Sequence, residues 1–198
     1  MSDSAPTSSS NAPKDNDTIA HLLEQMADLL EFKDENPFKI RSYRSAAEAI
    51  KDMDSPIADL AVAGGAAELQ KVPGIGKSIS TQIIEIVNTG TSPLLEALTH
   101  DTPVSVLDLR KISGVGLKTA QTLFRDFGIK SLPDLKRFAE GGGLKSVPGM
   151  GEKTLGRVLR SLDRVLPAPA VETISVPVDP SEANPDNPDD PGPEFHHS

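Results

Sequence analysis

Apolar residues between positions 18 and 166 recur every three or four residues, the period of one helix face. Ile19, Leu22, Leu23, Met26, Leu29 and Leu30 form the first such face, and Thr18 ahead of them predicts its N-cap. Asn36-Pro37 restarts the chain with a first-turn proline. Phe38, Tyr43, Ala46, Ala47 and Ile50 supply the next apolar stripe. Pro56–Leu60 reads as a short helical turn broken at Gly64-Gly65, and Pro93–Leu98 as another short helix. From Pro103 the pattern predicts a helix, then a second one ending at Phe127 with Gly128 as its stop. Ser131 and Asp134 predict a capping box for a third, which Gly141-Gly142-Gly143 ends. The last helix carries Leu155, Val158, Leu159, Leu162 and Val165 and stops at Pro167. No stretch alternates apolar and polar residues as a strand would. The expected fold class is all-α, with two small helical units at 18–102 and 103–166. Residues 1–17 and 167–198, rich in Ser, Asn, Pro and Asp, read as disordered tails.

Within this helical pattern one sixteen-residue unit occurs three times. Leu69–Ile84 reads LQKVPGIGKSISTQII, Leu109–Phe124 reads LRKISGVGLKTAQTLF, and Leu144–Leu159 reads LKSVPGMGEKTLGRVL. Each places an apolar residue two positions before a Gly-apolar-Gly and then opens a helix. The glycines are Gly74 and Gly76, Gly114 and Gly116, Gly149 and Gly151. The apolar columns agree too: Val72, Ile112 and Val147 before the turn, Ile83, Leu123 and Val158 after it. One Gly-x-Gly between helices is an ordinary tight turn; three in one register predict a helix-hairpin-helix array. Such a turn leaves N–H groups free at the positive end of a helix dipole, where a phosphate can sit. Three of them suggest a polyphosphate, which is a nucleic-acid backbone. A dinucleotide fingerprint is excluded, because Ile79, Thr119 and Thr154 stand where its third glycine would be and no strand precedes the turns.

Charge sharpens this picture. The chain of 198 residues has a net charge of −9, which is unpromising for a partner of nucleic acid. Residues 167–198, however, hold seven acids and no Lys or Arg. Residues 18–102 hold 7 basic and 13 acidic residues, and residues 103–166 hold 12 basic and 6 acidic ones. The second and third repeats therefore lie on a basic half. Cysteine is absent, which excludes disulfides and thiolate metal sites. No apolar run would span a membrane, and residues 1–17 lack the pattern of a signal peptide, so a cytoplasmic or nucleoid location is expected.

Asn36-Pro-Phe-Lys-Ile-Arg-Ser-Tyr43-Arg44-Ser-Ala-Ala47, followed by Val72-Pro-Gly-Ile-Gly76 and two further hairpins, resembles the N-terminal region of family X DNA polymerases over roughly residues 18–166. The resemblance implies a small 5′-phosphate-binding unit followed by a duplex-binding unit. The chain departs from the family in two ways. Only the short tail follows Pro167, so no catalytic palm is expected. Gln82 stands where the family's Schiff-base lysine would be, and an amide cannot form the imine, so no deoxyribose-phosphate lyase is expected. The resemblance also implies a monovalent cation, K+ or Na+, in each hairpin. Main-chain carbonyls would hold it, at Gln70, Val72 and Ile75, at Arg110, Ile112 and Val115, and at Lys145, Val147 and Met150. No other cofactor is expected.

The expected function is that of a non-enzymatic DNA-binding protein that grips backbone without reading sequence, in repair or replication. The candidate contacts are Gly74, Ile75, Gly76, Lys77 and Ser78 in the first hairpin. In the second they are Arg110, Lys111, Gly114, Val115, Gly116, Lys118 and Thr119, and in the third Gly149, Gly151, Lys153 and Thr154. Lys39, Tyr43 and Arg44 are the candidates for a 5′-phosphate. A repair or replication protein is a further expected partner, and no membrane is. Two rival readings stay open: a protein-interaction adaptor whose hairpins face partner helices, and a residual lyase using Lys77 or another lysine.

Overall fold

The computed structural model describes residues 15–166, and every element in that range is helical. The helices are α1 (Asn16–Phe32), α2 (Pro37–Lys51), α3 (Ile57–Leu69), α4 (Lys77–Thr89), α5 (Pro93–Asp101), α6 (Leu117–Phe127), α7 (Leu132–Glu140) and α8 (Glu152–Val165). Short 3-10 segments at Val104–Lys111 and Gly143–Ser146 lead into the second and third hairpins. The all-α expectation holds. The expectations for residues 1–14 and 167–198 lie outside the described residues.

Several boundaries move. Helix α1 begins at Asn16, so residues 15–17 are not a tail. Its cap is Asp15, whose carboxylate accepts from the Thr18 N–H at 2.7 Å and the Thr18 hydroxyl at 2.8 Å. An ionised acceptor makes the stronger cap, and it holds the Asp15 carboxyl below its usual pKa. The turn at Pro56–Leu60 is the start of the longer α3, which Gly65 breaks with φ 58° and which resumes to Leu69. The segment after Pro103 is 3-10. Ser131 does cap α7, its hydroxyl accepting from the Asp134 N–H at 3.3 Å. Asp134, however, reaches the N–H of Lys130 at 3.2 Å and not that of Ser131, so the box is displaced by one residue.

Two apolar clusters organise the helices. The first joins α1, α2, α3, α4 and α5 around Leu23, Met26, Leu30, Tyr43, Ile50, Leu69 and Ile83. The second joins α6, α7, α8 and the intervening segments around Leu109, Leu123, Leu135, Leu144, Val158 and Leu162. Phe32, at the end of α1, belongs to the second cluster and not the first. Its ring meets Phe124 edge-on at 5.7 Å, and the buried Gln121 side chain donates to its carbonyl at 2.8 Å. A buried polar bond across the boundary of two halves fixes their relation more tightly than apolar contact does.

The α2 stripe differs from the expectation at one residue. Phe38 is 79% exposed, while Ile40 takes a place in the core beside Tyr43, Ala47 and Ile50. Positions 40, 43, 47 and 50 share a face, and position 38 falls about 140° round the helix from Tyr43.

Candidate nucleic-acid interface

Each hairpin is built the same way. The carbonyl of Val72 accepts from the N–H of Ile75 at 3.1 Å, that of Ile112 from Val115 at 2.9 Å, and that of Val147 from Met150 at 3.1 Å. The residue before each middle apolar position is glycine at positive φ: 90° at Gly74, 99° at Gly114 and 78° at Gly149. A four-residue turn with φ positive at its third position needs glycine there. The middle residues Ile75, Val115 and Met150 are buried, and their N–H groups are used in the turn. Ile75 and Val115 therefore offer DNA neither a side chain nor a donor, which corrects their place among the candidate contacts. The turn bond occupies one lone pair of each carbonyl.

The second glycines behave differently. Gly76, Gly116 and Gly151 are the N-caps of α4, α6 and α8, with φ of −89°, −85° and −69° and extended ψ. These angles suit any residue. Nothing lies within 4 Å of where a Cβ would stand at any of the three. Neither a positive φ nor packing requires glycine there; glycine is an accepted N-cap that leaves the helix start uncovered.

The helix starts point the same way. Asp15 caps α1, Asn36 caps α2, Ser92 caps α5 and Ser131 caps α7. The Asn16 side-chain amide oxygen Oδ1 accepts from the N–H of Ile57 at 2.7 Å, so α3 is capped from α1. No side chain caps α4, α6 or α8. Their first-turn N–H groups lack the intrahelical partner that later turns supply. In each first turn stands an exposed lysine, Lys77, Lys118 or Lys153, without a carboxylate within ion-pairing reach among the described residues. Ser78, Thr119 and Thr154 follow them. The third helix differs in carrying Glu152 in its first turn, while α4 and α6 carry no acid there.

The remaining candidates are less available. Arg44 donates to Asp28 at 3.0 Å and to Glu31 at 2.9 Å, and Arg110 shares the same Glu31 oxygen at 3.0 Å. Lys111 pairs with Asp108 at 2.7 Å, and Lys39 lies 3.9 Å from Glu35. Tyr43 is 1% exposed. Its hydroxyl faces Ser78 without making a well-formed hydrogen bond, and burial raises its pKa. The cleft beside Arg44 is lined by Glu31, Asp34, Glu35 and Glu48 against Arg41 and Arg44. Lys39, Tyr43 and Arg44 thus do not make an open phosphate pocket here: one is core and the arginine is neutralised by carboxylates. Gln82 is half-buried on α4, its side-chain oxygen without a protein partner. Sequence reading missed exposed Phe38, which stands in the first turn of α2 beside Lys39 and Arg41. Its place off the 40-43-47-50 face was the available signal.

Fold and hairpins define a helix-hairpin-helix protein. Residues 14–92 match the family model described as a helix-hairpin-helix domain, and residues 106–164 match the SAM-like helix-hairpin-helix tandem. The chain is similar to the DNA polymerase/3′-5′ exonuclease PolX of Bacillus subtilis (strain 168), 30% identical over 144 residues, covering 73% of this chain and 24% of PolX. It is also similar to the Holliday junction branch migration complex subunit RuvA of Acidovorax sp. (strain JS42), 33% identical over 91 residues, 46% of this chain and 48% of RuvA. The RuvA of Albidiferax ferrireducens is 32% identical over the same length. The chain therefore spans about a quarter of that polymerase and about half of each RuvA. The resemblance to the helix-hairpin-helix region of family X polymerases is borne out. Among the described residues no helix is long and apolar enough to cross a membrane, and no group of His, Cys, Asp and Glu side chains could hold a metal ion.

Proposed function

We infer that this chain binds DNA by its phosphodiester backbone, chiefly through the first and second hairpins, and does no chemistry on it. The observation that carries the reading is the division among helix starts. Five α-helices have a side chain on their first turn, and the three hairpin helices present bare N–H groups beside an exposed lysine. Bare second glycines let a phosphate approach those groups closely. Backbone contacts of this kind fix a protein on DNA without reading bases. The names of PolX and RuvA, a polymerase and a junction-processing subunit, support DNA as the partner.

K+ or Na+ fits the turns. Neutral carbonyl oxygens at Gln70, Val72 and Ile75, at Arg110, Ile112 and Val115, and at Lys145, Val147 and Met150 are hard donors, and the turn bond leaves a lone pair on the central carbonyl of each set. Such an ion would supply positive charge beside a phosphate. Gapped or nicked DNA is the favoured substrate because Phe38 offers an exposed aromatic face on which an unpaired base can stack. A role in repair or replication follows from that substrate. Gln82 supports a non-catalytic reading of the first unit.

Binding to matched intact, nicked, gapped and single-stranded DNA across a salt series tests the proposal. Two hairpins neutralising about 4–6 phosphates predict a slope of log K against log salt of roughly −4 or steeper. A flat slope, or strong preference for one base sequence, overturns it.

A further inference from the structure

The cations of α8 form a separate feature. Lys153, Arg157, Arg160 and Arg164 are spaced four, three and four apart, which places them within about 60° of one another round the helix. All four are exposed, on the side opposite the buried Val158 and Leu162. The stripe runs about 16 Å along the helix axis. Helix α8's own acids, Glu152 and Asp163, fall on a flank of it, about a quarter-turn away. Elsewhere in this half Arg110 is paired with Glu31, Lys111 with Asp108, Arg125 with Asp34 and Arg137 with Asp134, while Lys118, Lys130 and Lys145 are unpaired among the described residues but isolated in sequence and form no stripe. No carboxylate among the described residues pairs with the α8 four.

Gly156 is the second observation. It interrupts α8 about one turn after Lys153 and two turns before Arg164, at the edge of the stripe on the flank that carries Glu152 and Asp163, where glycine costs roughly 1 kcal/mol against alanine. The only neighbour within 4 Å of a Cβ there is the Arg160 guanidinium at 3.4 Å, the movable end of a long side chain. Core packing does not ask for a bare backbone at this point. A phosphodiester backbone can come closest to the helix at such a point.

We propose that the outer face of α8 is a further DNA-binding surface, on which a phosphodiester backbone lies along Lys153, Arg157, Arg160 and Arg164 and crosses close to Gly156. This rests on the DNA-binding reading above and adds a contact that the hairpin turns do not provide. It also gives the third hairpin a use: its turn, weakened for anions by Glu152, lies at the head of the stripe.

The test uses the full chain and two variants. R157Q/R160Q/R164Q removes three charges from exposed positions, and Gly156→Leu keeps every charge but fills the gap. The triple variant should bind duplex DNA about ten-fold or more weakly at low salt, with a salt slope shallower by roughly 2–3, since each lost phosphate removes about 0.9. Gly156→Leu should weaken binding several-fold while leaving the melting temperature the same or higher. An unchanged salt slope in the triple variant overturns the proposal and leaves the stripe to a protein partner. If that slope is unchanged while Gly116→Val still weakens binding, only this surface fails. If the native chain shows no salt-dependent DNA binding, the reading beneath it fails as well.

Discussion

The second and third hairpins share one turn and differ in everything around it. In the second, the backbone is pressed against α8: a Cβ at Gly114 would stand 3.1 Å from Val158 Cγ2 and 3.2 Å from Thr154 Cγ2. In the third, nothing lies within 4 Å of the same point at Gly149. The third has Pro148 before its glycine, which lacks an N–H, as does Pro73 in the first. The second has Ser113 there, whose N–H donates to the Ser161 hydroxyl at 3.0 Å. The second opens a helix with no acid in its first turn; the third opens one with Glu152. The repeat therefore dictates the turn, and the neighbours decide its use. The second is a turn braced from behind by α8, and the third is a loosely backed turn whose helix carries the charge.

Alanine at the two positive-φ glycines breaks this comparison most directly. Both pay backbone strain of about 1–2 kcal/mol, and Gly114→Ala adds crowding of about 1–2 kcal/mol against Val158 and Thr154. Urea unfolding should show Gly114→Ala as clearly the more destabilising, and equal losses would mean the second turn is not braced. Next in size is Gly116→Val. Its φ of −85° and open surroundings accept valine, so melting should hold while DNA affinity falls about ten-fold, or 1.4 kcal/mol. Gly151→Val should cost only a few-fold, because Glu152 already disfavours an anion at that turn. Ser161→Ala removes the Ser113 bond and should destabilise the fold by about 1 kcal/mol without touching the hairpin's outer surface. The smallest effect is expected from Glu152→Gln, which relieves repulsion at the third helix start. DNA affinity should rise about two- to three-fold at low salt and the gain should fade as salt screens it. A loss of affinity would show Glu152 positioning Lys153 and not opposing DNA.

Local spacing carried the helices, the three hairpins, the glycine stop at Gly128, and the core columns Ile83, Leu123 and Val158, each fully buried. These are legible because a helix face and a tight turn are decided by residues within one or two turns of each other. The Asp15 cap was also local; choosing Thr18 overlooked that an ionised carboxylate three residues earlier can take both of that residue's donors. What escaped the pattern was long-range. Glu31 binds Arg110 across 79 positions, and Gln121 reaches the Phe32 carbonyl across 89. Nothing in the spacing of Lys39, Tyr43 and Arg44 distinguishes a phosphate pocket from one core aromatic and one neutralised arginine. Free and paired cations look alike in a sequence, because pairing depends on which carboxylates the packed helices bring within a few ångströms. By itself the sequence determined where the chain turns and which helix starts lack a side-chain cap and so stay open to an anion. Tertiary packing decided which charges remain to meet one, since an ion pair formed inside the fold and a contact to DNA compete for the same side chain.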